Sequence, residues 1–266
     1  MELKHAGYAE PDDPAIPDLP TGARFEHSGL MTASESGSHP DTQDISVSEP
    51  ADISATQPPK GRLFLIILIA LCLGIEAMLW LSDQGIVGPQ RLRTLAYDYG
   101  GFWAGLWKDW PANYPAQPWI MFLTYGLLHG GVLHVVANMI TLWSLGSAVL
   151  DRVSTKGLVL LYVVAQFGGG IGFVLLADRA VFFLPMVGAS GALFGLAGGL
   201  LAWAYVDRYT FSEAIWPVAR MVLILGALNL VMWWALDGQL AWETHLGGFV
   251  AGWIMALLID PRPQRL

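Results

Sequence analysis

From Leu63 onward the chain alternates long apolar runs with polar breaks, and no other feature limits its fold as strongly. A helix needs about 20 predominantly apolar residues to cross the hydrocarbon core of a bilayer. On that measure we expect six spans, approximately 63–82, 131–150, 157–177, 188–206, 218–236 and 242–259. The fold class read from this pattern is an all-α polytopic membrane bundle. The long connection between the first two spans, about 83–130, is rich in Trp, Tyr, Pro and Gly, as expected of a segment resting in the interface. The other breaks are short, so successive helices should be antiparallel neighbours.

Charged residues make up only 14% of the chain, against roughly a quarter in soluble domains. The formal net charge of −8 belongs entirely to the first 60 residues, which hold 11 Asp/Glu and 3 Lys/Arg. That segment is rich in Pro and Ser and has no sustained apolar period. It cannot bury enough surface to offset its ordering entropy, so residues 1–60 are expected to be a disordered acidic tail preceding a membrane domain over 61–266. An acidic, Pro-rich start is unlike a cleaved signal peptide. Cys72, alone in an apolar run, permits neither an intrachain disulfide nor a cysteine-based zinc site.

Basic residues set the orientation. With the tail inside, Lys60, Arg62, Arg152, Lys156, Arg208, Arg220, Arg262 and Arg265 fall on the cytoplasmic side, and Arg91, Arg93, Lys108 and Arg179 outside. Both termini are therefore expected in the cytoplasm. Gly191, Gly195 and Gly199 recur every four residues on the fourth span, as do Gly248 and Gly252 on the sixth. Small residues let helices approach closely in lipid, which predicts a central fourth helix lying against the sixth.

Two polar residues in these spans point to chemistry. Ser190, in Gly188-Ala189-Ser190-Gly191, should lie a few residues into the fourth span, and His245 a few into the sixth. Even-numbered spans share one direction, so both should sit at similar depth just below the outer surface, where water can enter. An imidazole can take the proton that makes a hydroxyl a poor nucleophile. On the second span His134 and Asn138 are spaced i, i+4 on one face. They suit either donation to a carbonyl oxygen that gains negative charge or hydrogen bonding between helices. Metal binding competes for His129, His134 and His245, but no carboxylate or cysteine accompanies them. The serine segment is not the soluble Gly-x-Ser-x-Gly elbow, because position 192 is alanine.

These residues resemble the rhomboid intramembrane serine proteases over about 63–260. Gly188-Ala189-Ser190-Gly191 is similar to the family's Gly-x-Ser-Gly segment. The stretch from His245 through Gly248 to Gly252 is similar to its His-x-x-Gly-x-x-x-Gly helix, and His134 to Asn138 to its His-x-x-x-Asn. His129 matches an additional upstream histidine. The resemblance implies a Ser190–His245 dyad, with Asn138, His134 and the Ser190 backbone amide around the oxyanion and Phe194 packed on the His245 ring. It implies transmembrane protein substrates cut near the outer face of a bacterial plasma membrane, with no cofactor, no metal and no nucleic acid. One departure stands out: the family often has Trp-Arg in the first loop, whereas Ile120 follows Trp119 here, which leaves the anchoring of that loop open. The competing readings are an inactive relative that binds membrane proteins without cutting them, and a transporter. The obvious intramembrane charge, Glu76, is expected to face the bundle, hydrogen-bonded or protonated, or to reach the outer interface.

Overall fold

A computed structural model describes residues 60–178, 183–260 and 262. The chain divides into two units, 1–52 and 53–266, and every described residue belongs to the second. The acidic tail expected over residues 1–60 lies, apart from Lys60, outside the described residues, as do Arg179 and Arg265.

Six long helices stand where the apolar runs are: α1 (Lys60–Asp83), α4 (Val132–Leu150), α5 (Thr155–Leu176), α6 (Ser190–Thr210), α7 (Trp216–Ala235) and α8 (Trp242–Ile259). Two short helices, α2 (Leu92–Gly100) and α3 (Gln117–Thr124), form within the long connection. Among the described residues there is no strand, only an isolated two-residue bridge between Phe102 and Met186. Five of the long helices, all but α6, are long and apolar enough to cross a membrane. The molecule is an integral membrane protein. Helix α6 is enclosed by protein, burying Gly191, Leu193, Gly195, Leu196, Gly198, Gly199 and Trp203. It therefore tolerates a glycine-rich and less apolar composition.

Local signals explain several helix ends. The Ser154 hydroxyl accepts from the Gly157 N–H at the start of α5, an N-cap that satisfies one otherwise orphaned donor. Pro118 and Pro217 lie in the first turns of α3 and α7, where the missing N–H costs nothing. Gly188 adopts φ +124°, a turn that an L side chain resists, just before α6.

The centre of the bundle is a backbone-to-backbone seam of α5, α6 and α8. A Cβ added at Gly248 would run into the Gly191 carbonyl, and one at Gly252 into Gly195. On the other side, a Cβ at Gly168 would meet Ala251 and the Gly247 carbonyl, and one at Gly172 the Glu243 carbonyl. The central position expected for the fourth span, against the sixth, is found. The glycine run of α5, which sequence reasoning passed over, completes the seam. Around it Leu65, Leu142, Leu158, Leu161, Leu196 and Trp203 form a continuous core. Helix α7 stands apart, burying only Val218.

Polar clamps hold the two ends of this bundle. At the end away from Ser190, Arg152 pairs with Asp207 (2.6 Å) and Asp260 (3.4 Å), donates to the Arg262 carbonyl and lies over the Trp203 ring. Burial works against the Asp260 carboxylate, yet hydrogen bonds from Arg262 and the charges of Arg262 and Arg152 hold its pKa below the usual range. At the other end Glu76, 2% exposed, receives two bonds from Arg93 of α2, at 2.8 and 3.1 Å. Arg93 also bonds Asp83 at 2.7 Å and the His129 carbonyl at 3.2 Å. Glu76 thus faces a partner in the interfacial segment. The loop lacking Trp-Arg is anchored instead by Arg93, by Gln117 donating to the Asp98 carbonyl (2.7 Å) and by Thr124 donating to the Gly100 carbonyl (2.7 Å).

Candidate active site

Ser190 is the first residue of α6, not a few residues into it, because the Gly188 turn delays the helix. The segment leading to it is fixed at two points. Phe102 and Met186 exchange backbone hydrogen bonds at 2.9 and 3.0 Å, and the Gly188 N–H donates to the Tyr125 carbonyl at 2.9 Å. His245 is the fourth residue of α8 and His134 the third of α4. At about 1.5 Å of rise per residue, all three lie within the first turn of helices that start on the same side of the bundle. These starts put the three residues at a common level at one end of the bundle.

The Ser190 Oγ lies 2.8 Å from His245 Nε2. On the far side of the ring, His245 Nδ1 is 2.7 Å from Asn229 Oδ1 of α7. Phe194, one turn after the serine, stacks on the His245 ring at 4.2 Å and 6° between planes. Thr244 buries its methyl against Gly169 and Gly191 and donates its hydroxyl to the Met186 sulfur at 3.0 Å. The ring is therefore held on both edges and one face, and 7% of the residue is exposed.

The space beside Gly188 is the second half of the site. A Cβ there would sit 3.0 Å from His134 Nε2 and 3.8 Å from Ser190 Oγ, so both atoms border the same small volume. The Gly130 N–H donates to His134 Nδ1 at 3.1 Å. An imidazole nitrogen that accepts leaves the proton on the other, so neutral His134 presents Nε2–H toward that volume. Ser190, Gly191 and Ala192 head a helix, and the first N–H groups of a helix have no acceptor within it. Leu193 is the first to bond back, to Ala189. Donors of this kind can stabilise an oxyanion formed by attack of Ser190. Asn138, one turn beyond His134, is buried and gives one amide hydrogen to the His134 carbonyl at 2.9 Å. Its second amide hydrogen remains to be given.

His129 is fully buried, edge-on to the His134 ring at 5.2 Å. Its carbonyl receives Tyr97 Oη at 2.6 Å as well as Arg93, so it shapes the entry to α4 through its backbone. Gly191, Gly248 and Gly252 belong to the seam. Among the described residues no group of three or more His, Cys, Asp or Glu is arranged to hold a metal ion. Sequence reasoning missed Asn229. Its signal was available, since a lone amide within an apolar span is expensive unless it is used.

A family model described as the rhomboid domain matches residues 116–262. RHOMBOID-like protein 4 of Arabidopsis thaliana is 34% identical over 143 residues, which cover 53% of this chain and 34% of that protein. Rhomboid protease GluP of Bacillus subtilis (strain 168) is 30% identical over 138 residues, covering 52% of this chain and 25% of the protease. Rhomboid protease GlpG of Enterobacter sp. (strain 638) is 24% identical over 206 residues, covering 76% and 65%. The chain spans only about a third of the first of these relatives.

Proposed function

Because the chain belongs to the rhomboid family, we propose that it is an intramembrane serine endopeptidase that cuts transmembrane segments of other membrane proteins. The observation that carries this reading is the 2.8 Å contact between Ser190 Oγ and His245 Nε2 at the head of the central helix. Ser190 attacks the scissile carbonyl carbon as Nε2 takes its proton. The carbonyl oxygen, now negative, receives hydrogen bonds from the Ser190 N–H, His134 Nε2–H and Asn138 Nδ2. His245 returns the proton to the leaving amine, and water then cleaves the acyl-enzyme by the reverse sequence of proton transfers.

The first-turn depth of Ser190 supports access of water from one face, and the basic-residue count makes that face the outer one, with the chain's ends inside. A substrate helix hides its carbonyls in its own hydrogen bonds, so it must unwind before attack. Substrates with Gly, Pro or other weak helix formers near the outer end of a single span fit that requirement. A bacterial plasma membrane suits the likeness to the two bacterial proteases.

Purified protein should cleave a model single-span substrate and react with a fluorophosphonate probe. Ser190→Ala and His245→Ala should each abolish cleavage in folded protein, and the double variant should be little worse, because the pair acts as a unit. Wild-type protein that neither labels nor cleaves would favour the binding-only alternative.

A further inference from the structure

Beyond Arg220 in its second turn, Asn229 is the one strongly polar side chain of α7, in a run of apolar residues from Met221 to Ala235. An amide in that setting is costly unless its groups are used. Its oxygen is used, 2.7 Å from His245 Nδ1. Resting on the Ser190–His245 reading, we propose that Asn229 is a positioning residue: its carbonyl oxygen accepts the Nδ1–H of His245, keeps Nε2 free to take the Ser190 proton, and makes the base depend on the seating of α7.

The argument turns on which atoms can donate. Ser190 brings a hydroxyl hydrogen, and Nε2 can receive it only if the neutral ring carries its proton on Nδ1. The amide oxygen facing Nδ1 selects that tautomer. The opposite amide orientation would donate to Nδ1, force the proton onto Nε2 and leave Ser190 facing another N–H. During attack the serine proton moves to Nε2, while the Nδ1 proton stays where it is. Asn229 takes no proton, but its carbonyl dipole faces the cation that forms and stabilises it. The part that a buried carboxylate plays in a soluble triad, holding ring orientation and tautomer, falls here to a neutral oxygen. A carboxylate at this point in the membrane would cost far more than an amide.

The bond also crosses to the least buried of the six long helices. Helix α7 buries only Val218, and a cavity of about 340 Å³ lined by Gly226, Asn229, Leu230, Trp233 and Trp242 opens beside the amide. Ser190 and His245 sit on helices locked together by glycine, whereas the third group rides on one that is not. Displacing α7 from α8 would leave Ser190 and His245 in register and remove the acceptor on Nδ1.

The test uses full-length protein in detergent with a single-span substrate, measuring kcat and KM separately alongside the ¹⁵N NMR signals of His245, assigned by their loss in His245→Ala. Asn229→Leu, similar in size but without an acceptor, should lower kcat about 10- to 100-fold, as other partners that fix a histidine do, with KM within twofold. Asn229→Asp, which keeps the acceptor, should restore most of kcat. Wild-type His245 should show Nδ1 protonated, and Asn229→Leu a mixture of tautomers. Wild-type kcat in a folded Asn229→Leu variant, or a wild-type ring protonated on Nε2, would overturn the inference. The second readout decides even if Asn229→Leu does not fold. Ser190→Ala and His245→Ala run in parallel separate the two claims. If they are inactive while Asn229→Leu is fully active, only the positioning role fails; if they still cleave, the dyad itself fails.

Discussion

Gly252 lies about two turns beyond His245 on α8 and touches the side chain of neither Ser190 nor His245, yet adding one methyl there should disable the proposed cleavage. A Cβ at Gly252 would lie 2.5 Å from both the carbonyl carbon and the Cα of Gly195. Non-bonded carbons rest about 3.5 Å apart or more, so α6 and α8 must part by about 1 Å. Backbone cannot rotate out of the way as a side chain end can. The Ser190 Oγ to His245 Nε2 distance is 2.8 Å, and the two residues sit on these two helices. An added 1 Å carries the pair past hydrogen-bonding range. A misplacement of that size costs on the order of 10²-fold in rate, and the overpacking itself about 1–3 kcal/mol of stability. Gly74→Ala is the control, because a Cβ there meets nothing within 4 Å. Substrate cleavage and thermal unfolding in detergent, compared across wild type, Gly252→Ala and Gly74→Ala, check this. A folded Gly252→Ala protein with turnover within twofold of wild type would refute the idea that the glycine seam sets the catalytic distance.

Arg93→Ala should leave Glu76 buried without its partner and cost about 3–5 kcal/mol. Adding Glu76→Gln should recover much of the lost melting temperature, and no recovery would mean that the ion pair does not anchor the loop. Glu76→Gln alone should retain cleavage. Asn138→Ala should lower kcat by about 10- to 1000-fold with little change in KM if Asn138 donates to the oxyanion; unchanged turnover with a lower melting temperature would make it a packing residue. Single cysteines at positions 100 and 239 should label from outside in intact cells and one at 264 only after permeabilisation. The native Cys72 is buried and should stay silent. Labelling of 264 from outside would reverse the proposed orientation.

Apolar runs made the six long helices legible, and five of them have the length and hydropathy that a bilayer crossing demands. The runs could not place the start of α6. Gly188 and Ala189 read as apolar helix, and the positive φ of Gly188 belongs to a turn selected by Tyr125 and Phe102, which come from other parts of the chain. The pairing of Ser190 with His245 could be inferred because both fall at the same end of parallel helices. The partner of Glu76 could not, since Arg93 reaches it only after the interfacial segment folds back across α1. Asn229 was hidden differently. A single neutral amide alters neither the charge count nor the apolar character of the span that carries it.

Chain order gives the seam a bearing on how the protein is made. Ser190 precedes His245 by 55 residues, with the whole of α7 between them. When α6 first enters the membrane, its glycine face has only α5 to lie against, and the nucleophile has no base. Both needs are met by α8, the last of the described helices. On the proposed reading, a partly synthesised chain therefore carries a serine without its base into the membrane, and reactivity begins only when α8 docks.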